Sequence, residues 1–264
     1  MTEAGSRSRR RGSVCTALLV PLLVLVALVL AGTASATPTA TFKLKAIPIP
    51  GFPGTGNILG AGTEVEVEVT ISGTEYGGFP SPLTGINLYG PSGIKVTPTG
   101  FATCAPSALE DSGAAGCPKR SSAGPPGVGY GDVSFGGDTV PEKVSIQGFF
   151  AAGGGLIFYV EGTTPASFQY LEKAQWVMAS PPYGPEVMVE VPLVETVPGA
   201  NDASVTSFNV KVGAAYRRGK QTVSYITQPK RCPKGGFPVK LELKFLSGET
   251  VTDAYAVPCP KHRG

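Results

Sequence analysis

The chain has 264 residues, long enough for one sizeable core, and its 36 glycines and 25 prolines leave little room for continuous helices. It holds 22 Lys and Arg against 19 Asp and Glu, and a single histidine, for a formal net charge of +3. So small an excess gives no global attraction to nucleic acid or to an anionic membrane, and one imidazole leaves little scope for histidine-dependent catalysis.

Arg7, Arg9, Arg10 and Arg11 precede an unbroken apolar run over 17–31, followed by Ala34, Ser35 and Ala36 in the A-x-A pattern. A basic segment, an apolar segment and a small-residue site in that order predict a secretory signal over 1–36, cleaved after Ala36. The alternative is an uncleaved anchor and a membrane-tethered ectodomain, since the run nears the length a spanning helix needs. Pro21 and the A-x-A site favour cleavage; Cys15 precedes the apolar run and is no lipid-attachment site. The segment takes 4 of the 22 basic and 1 of the 19 acidic residues, leaving 18 of each in an electrically neutral remainder. Charge is uneven along it: 37–200 has 7 basic and 14 acidic residues, 201–264 has 11 and 4.

From residue 37 short apolar runs follow one another. TFKLKAI (41–47) leads into a long Gly/Pro-rich loop that Phe52 is expected to pin to the core. The clearest strand is 63–72, TEVEVEVTIS, whose valines at 65, 67 and 69 alternate with Glu64, Glu66 and Glu68; period two buries the valines and puts the glutamates in water. Further runs are expected at 85–90, 129–136, 143–150, 156–162, 175–180, 186–197, 204–213, 221–227, 239–246 and 250–257. Turns at 151–155 and 247–249 close two hairpins. The one helical signal, Ser107 to Glu110, has capping-box spacing and room for about a turn. Regularly spaced strands without helical periodicity predict an all-β domain over 37–264, an antiparallel β-sandwich of about ten to twelve strands.

The strings KAIPIPGFPGTGNILGAGTE, ISGTEYGGFPSPLTGINLY, VPLVETVPGANDASV and CPKGGFPVKLELKF resemble a group of secreted proteins of Solirubrobacter-like actinobacteria. The resemblance covers almost all of the chain after the signal, the four cysteines included. It implies export and brings no catalytic residue with it.

Cys104, Cys117, Cys232 and Cys259 lack the C-x₂₋₄-C spacing of metal sites and the C-x-x-C of redox sites. In an exported chain they predict two disulfides, with three connectivities open; nearest-neighbour pairing is the simplest because each bridge closes a local loop. Three of the four begin a Cys-Pro-Lys triplet, in which proline fixes the chain's exit from the bridge and lysine keeps the loop wet.

No catalytic residue, metal or cofactor is assigned. There is no G-x-S-x-G, and His262 lies in a tail expected to fray. Glu64, Glu66 and Glu68 stand about 7 Å apart on one face, within the window of an inverting glycosidase pair, yet alternation alone produces that spacing. Gly54-Thr55-Gly56 with Gly60 reads as a turn rather than a nucleotide loop. Trp176 is expected in the core. Arg217, Arg218, Lys220, Lys230, Arg231 and Lys234 flank the run at 221–227 and could converge into an anion-binding end suited to an anionic wall polymer or polysaccharide. The expectation is therefore a noncatalytic binding or structural component of the cell envelope or extracellular space. The alternative is a carbohydrate-binding module or glycoside-acting enzyme using surface carboxylates.

Overall fold

A computed structural model describes residues 37–135, 138–165, 167–195 and 198–260. The signal segment, Cys15 and His262 lie outside the described residues. The alternation at 63–72 does what period two dictates. Strand β2 (Gly62–Ser72) lies between β1 (Thr39–Ile47) and β10 (Ser204–Val212), both antiparallel to it. Register matches like with like: Val67 faces Leu44 and Val210, and Val69 faces Phe42 and Phe208 on the inner face. On the outer face Glu66 faces Lys45 and Lys211, and Glu68 faces Lys43. One face is thus apolar across three strands and the other is a charge ladder.

The chain continues through β3 (Leu83–Pro91), the short β4 (Lys95–Val96), helix α1 (Pro106–Ser112), β5 (Gly127–Phe135), β6 (Asp138–Phe150), β7 (Leu156–Gly162), β8 (Phe168–Met178) and β9 (Tyr183–Glu190). After β10 come β11 (Ala215–Arg218), β12 (Gln221–Ser224), β13 (Ile226–Thr227), β14 (Phe237–Phe245) and β15 (Thr250–Val257). Strands β5 to β9 form a meander, and the expected turn at 151–155 joins β6 to β7. The hydrogen-bonded order is β15-β14-β3-β9-β8-β7-β6-β5-β10-β2-β13-β4, with β1 on β2, making one 13-stranded antiparallel sheet; β11 and β12 form a separate hairpin.

The all-β antiparallel class is as expected. The strands nonetheless belong to one continuous path instead of the two separate sheets that a sandwich denotes. The sheet rolls over on itself, so that Phe42 and Val69 near one end and Leu241 and Leu243 near the other share one core. It is not closed into a barrel: β1 and β15 meet without a ladder. Two β1 amides donate instead to β15 side chains, Phe42 N–H to Asp253 Oδ2 at 3.1 Å and Leu44 N–H to the Tyr255 hydroxyl at 2.6 Å.

Both disulfides take the nearest-neighbour pairing, Cys104–Cys117 with Cα atoms 5.3 Å apart and Cys232–Cys259 with 5.9 Å. The first ties down the α1 segment, whose fully buried Leu109 packs with Phe149, Ile157 and Tyr159 in a second, smaller core. The second joins the chain before β14 to the chain after β15. Two bridges suit an oxidising, extracytoplasmic compartment. Among the described residues no helix is long and apolar enough to cross a membrane.

Several expectations are corrected. Glu64 is not in water: it is buried beside Gly213, and burial raises its carboxyl pKa above the usual range. The loop after β1 is anchored by Ile49 and Thr55, both buried, while Phe52 is only half-buried. Thr55 Oγ1 accepts from Ile49 N–H at 2.9 Å and donates to Phe52 C=O at 2.7 Å, which sets the turn. The run at 221–227 breaks at the fully buried Tyr225 into β12 and β13, and that at 186–197 ends as strand at Glu190. Strand β8 begins at Phe168, seven residues before the run at 175–180 was expected to start.

Candidate binding chamber

The inner faces of the rolled sheet do not meet everywhere. They flank a partly open cavity of about 190 Å³, walled mainly by aliphatic and aromatic side chains of β1, β2, β3, β5 to β10 and β14. Gly129 and Gly131 of β5 line it, and neighbouring strands crowd both: a Cβ on Gly129 would stand 2.8 Å from Val144 Cγ2 of β6, and one on Gly131 would run into the Ser204 carbonyl oxygen of β10. On the two strands next to β5 lie Val210 and Val67, a register pair of short side chains that also line the space. An apolar cavity of about 150 Å³ stays dry and accepts benzene, so this one has room for a small apolar molecule.

Past Trp176 the interior is solid. Tyr225 is fully buried, with the Phe150 ring at 4.5 Å and the Phe101 ring at 5.7 Å between centroids. Trp176 Nε1–H donates to the Tyr225 hydroxyl at 2.8 Å, and that hydroxyl donates to Gly154 C=O at 3.3 Å. Burial pushes the Tyr225 phenol up to about 12, so it stays a neutral donor. Trp176 is thus both a wall of the chamber and the start of its packed end.

Strand β8 supplies the chamber's polarity. Phe168, Tyr170, Glu172, Ala174 and Trp176 follow at period two on its inner face, which places a carboxyl in the middle of an aromatic row. In register, Glu172 faces Phe158 of β7, and Tyr170 faces Val160. Phe168 and Tyr170 stack with centroids 6.1 Å apart and planes 13° from parallel. Glu172 is half-buried, and it lines the cavity. Burial pushes its carboxyl up to about 8, leaving it largely protonated at neutral pH. The Tyr170 phenol is raised by burial and further by the neighbouring Glu172. Glu142 of β6 is a second buried acid on the lining; its Oε1 lies 3.2 Å from where a Cβ on Gly162 would stand, at the Phe168 level of β8.

The residues singled out in the sequence lie elsewhere. Arg217 and Arg218 of β11 and Lys220 in its turn are exposed on a hairpin that packs against Thr99–Phe101 through Tyr216. Lys230, Arg231 and Lys234 are exposed on the segment between β13 and β14, with Lys230 beside Gly60 and the others flanking the Cys232 bridge. They form two groups of three. The acidic row is neutralised in place: Lys45 and Lys211 reach Glu66 at 3.7 and 3.6 Å, and Lys43 reaches Glu68 at 3.7 Å. A hydrogen bond from Asn209, followed by those lysines, holds the Glu66 carboxyl below its usual range despite partial burial.

Tyr170 and Glu172 went unread in the sequence. Gln169, Leu171, Glu172, Lys173 and Ala174 are good helix formers and weak strand formers, so the alternation of Phe168, Tyr170 and Trp176 is diluted. The available signal was an acid at an inward position of a period-two row.

The fold and the chamber together define a class: a disulfide-stapled β protein whose single sheet rolls around an apolar cavity. No protein-family model matches the chain, and no curated protein or solved structure matches it either.

Proposed function

We propose that this is a noncatalytic exported binding protein that holds a small apolar ligand between the facing layers of its rolled sheet, which serve as the two layers of a sandwich. The observation that carries the reading is the cavity itself, an apolar space with a few convergent polar groups, the usual form of a small-molecule site. The disulfides support a place in the envelope or extracellular space. Trp176 is the only tryptophan of the chain and a wall of the cavity, so its fluorescence reports occupancy directly. Titrating the oxidised, secreted protein with benzene and with short alkanols should change that emission saturably. An unchanged emission with all of them would sink the reading.

A second reading places an anionic wall polymer or polysaccharide on the six basic residues, all of them exposed and none ion-paired among the described residues. Cosedimentation with isolated wall polysaccharide at low and high salt tests it. Binding that ignores both salt and alanine substitution at Arg217, Arg218, Lys230 and Arg231 would refute it.

A further inference from the structure

We propose that the chamber selects an organic ammonium ion with an apolar body, and that Glu172 is its counter-ion. The inference rests on the chamber reading above and adds the ligand's charge.

The polar groups that face the cavity are one-sided. Strand β8 presents Tyr170 and Glu172, β6 presents Glu142, β5 presents Tyr130 at the margin, and Ser204 stands at the start of β10. The walls from β1, β2, β3, β7, β9 and β14 are apolar, and no lysine, arginine or histidine lines the space among the described residues. No described side chain hydrogen-bonds or ion-pairs with the Glu172 carboxyl, and burial alone accounts for its raised pKa, with no cation near enough to lower it. A carboxylate ligand would meet two acids and no positive charge. A neutral alcohol would find hydrogen-bonding groups but gain no charge pairing. An ammonium finds the carboxylate it needs among the rings of Phe158, Phe168, Tyr170 and Trp176, aromatic groups whose π-systems attract cations.

The proton balance makes the idea measurable. At pH 7 the empty chamber holds Glu172 mainly as the acid, and an alkylamine in solution is mainly the ammonium. Pairing them ionises the carboxyl: ammonium plus carboxylic acid gives the ammonium–carboxylate pair and one proton released to solvent. Affinity therefore rises with pH by up to about tenfold per unit below pH 8 and levels above it, until the amine itself loses its proton near pH ~10.

Hexylamine, hexanol and hexanoate share one body and differ in the head group, and six carbons match what a cavity of this size accepts. The secreted protein is titrated with each, following Trp176 emission and heat in buffers of different ionisation enthalpy. The expected result is hexylamine at least tenfold tighter than the other two at pH 8, with close to one proton released at pH 6.5. In Glu172→Gln, which keeps the side chain's size, the preference and the proton release should vanish while hexanol binding persists. Hexanol or hexanoate binding as tightly as hexylamine overturns the ammonium assignment and leaves the chamber reading standing. Failure of all three to bind overturns both.

Discussion

The amide of Leu44 donates to the hydroxyl of Tyr255 across 2.6 Å, and this contact joins two edge strands, β1 and β15, of a 13-stranded sheet. The Tyr255 ring also packs on Phe42, centroids 4.9 Å apart, while Phe42 N–H is held by Asp253. A terminal strand exposes alternate amides that must be satisfied, and here side chains do it where a barrel would use a neighbouring strand. The chamber's Leu44 wall therefore depends on β15.

Tyr255→Phe removes the acceptor and keeps the ring. It should cost about 1–2 kcal/mol in urea unfolding, because a half-buried amide loses its partner. The Leu44 amide should also exchange with solvent sooner than those of β2. Unchanged exchange at Leu44 would show that the seam is held by ring packing alone.

Glu172 makes a pH prediction with a definite sign. Its carboxyl rises from about 4.5 to about 8 on folding, so between those values the folded state holds more protons than the unfolded. Stability contributed by this group is full below about pH 4.5 and falls as pH rises, levelling above about 8. Glu172→Gln should be close to neutral at pH 4.5 and stabilising by a few kcal/mol at pH 9. The difference between variant and parent unfolding free energies, measured from pH 4.5 to 9, tests this free of other titrations. A flat difference would mean that water reaches the carboxylate and the chamber is wet.

How far the sequence disclosed the molecule follows from what each signal encodes. The valine–glutamate alternation of β2 encodes a two-faced strand, and the structure places it between two neighbours with matching faces. The disulfide pairing was the simplest of three and is the one found. Connectivity between strands is a long-range property that local pattern does not carry, so a rolled single sheet and a two-sheet sandwich read alike. Glu64 shows the same limit: alternation puts it outside with Glu66, but it is covered near Gly213 by chain that arrives some 150 residues later in sequence, on the order of a whole domain's length away. Glu172 sat in a stretch whose propensities pointed to helix, and only its β7 partner shows which way it faces.

The two disulfides should separate by what they hold. Replacing either pair by serine removes about 3–4 kcal/mol by chain-entropy reasoning. Loss of Cys104–Cys117 should free the segment over Leu109 and bring proteolytic cleavage within 105–120 while the chamber still takes its probe. Loss of Cys232–Cys259 acts on β14 and β15, and should weaken probe binding and speed exchange at Leu44. Equal probe affinity in both variants would argue that β15 does not support the chamber.

Filling the cavity separates a binding site from a packing defect. Val210 faces Val67 across the β10–β2 ladder, and both line the space. Val210→Phe extends a ring into it. Burying added apolar surface in an existing void should hold or raise the unfolding midpoint, whereas overpacking a filled core costs about 1–3 kcal/mol. The variant should keep Trp176 emission close to that of the parent, yet lose its response to hexanol and hexylamine. A destabilised variant that still binds would place the ligand elsewhere, and the free volume among β2, β5, β8 and β10 would then be a flaw in packing.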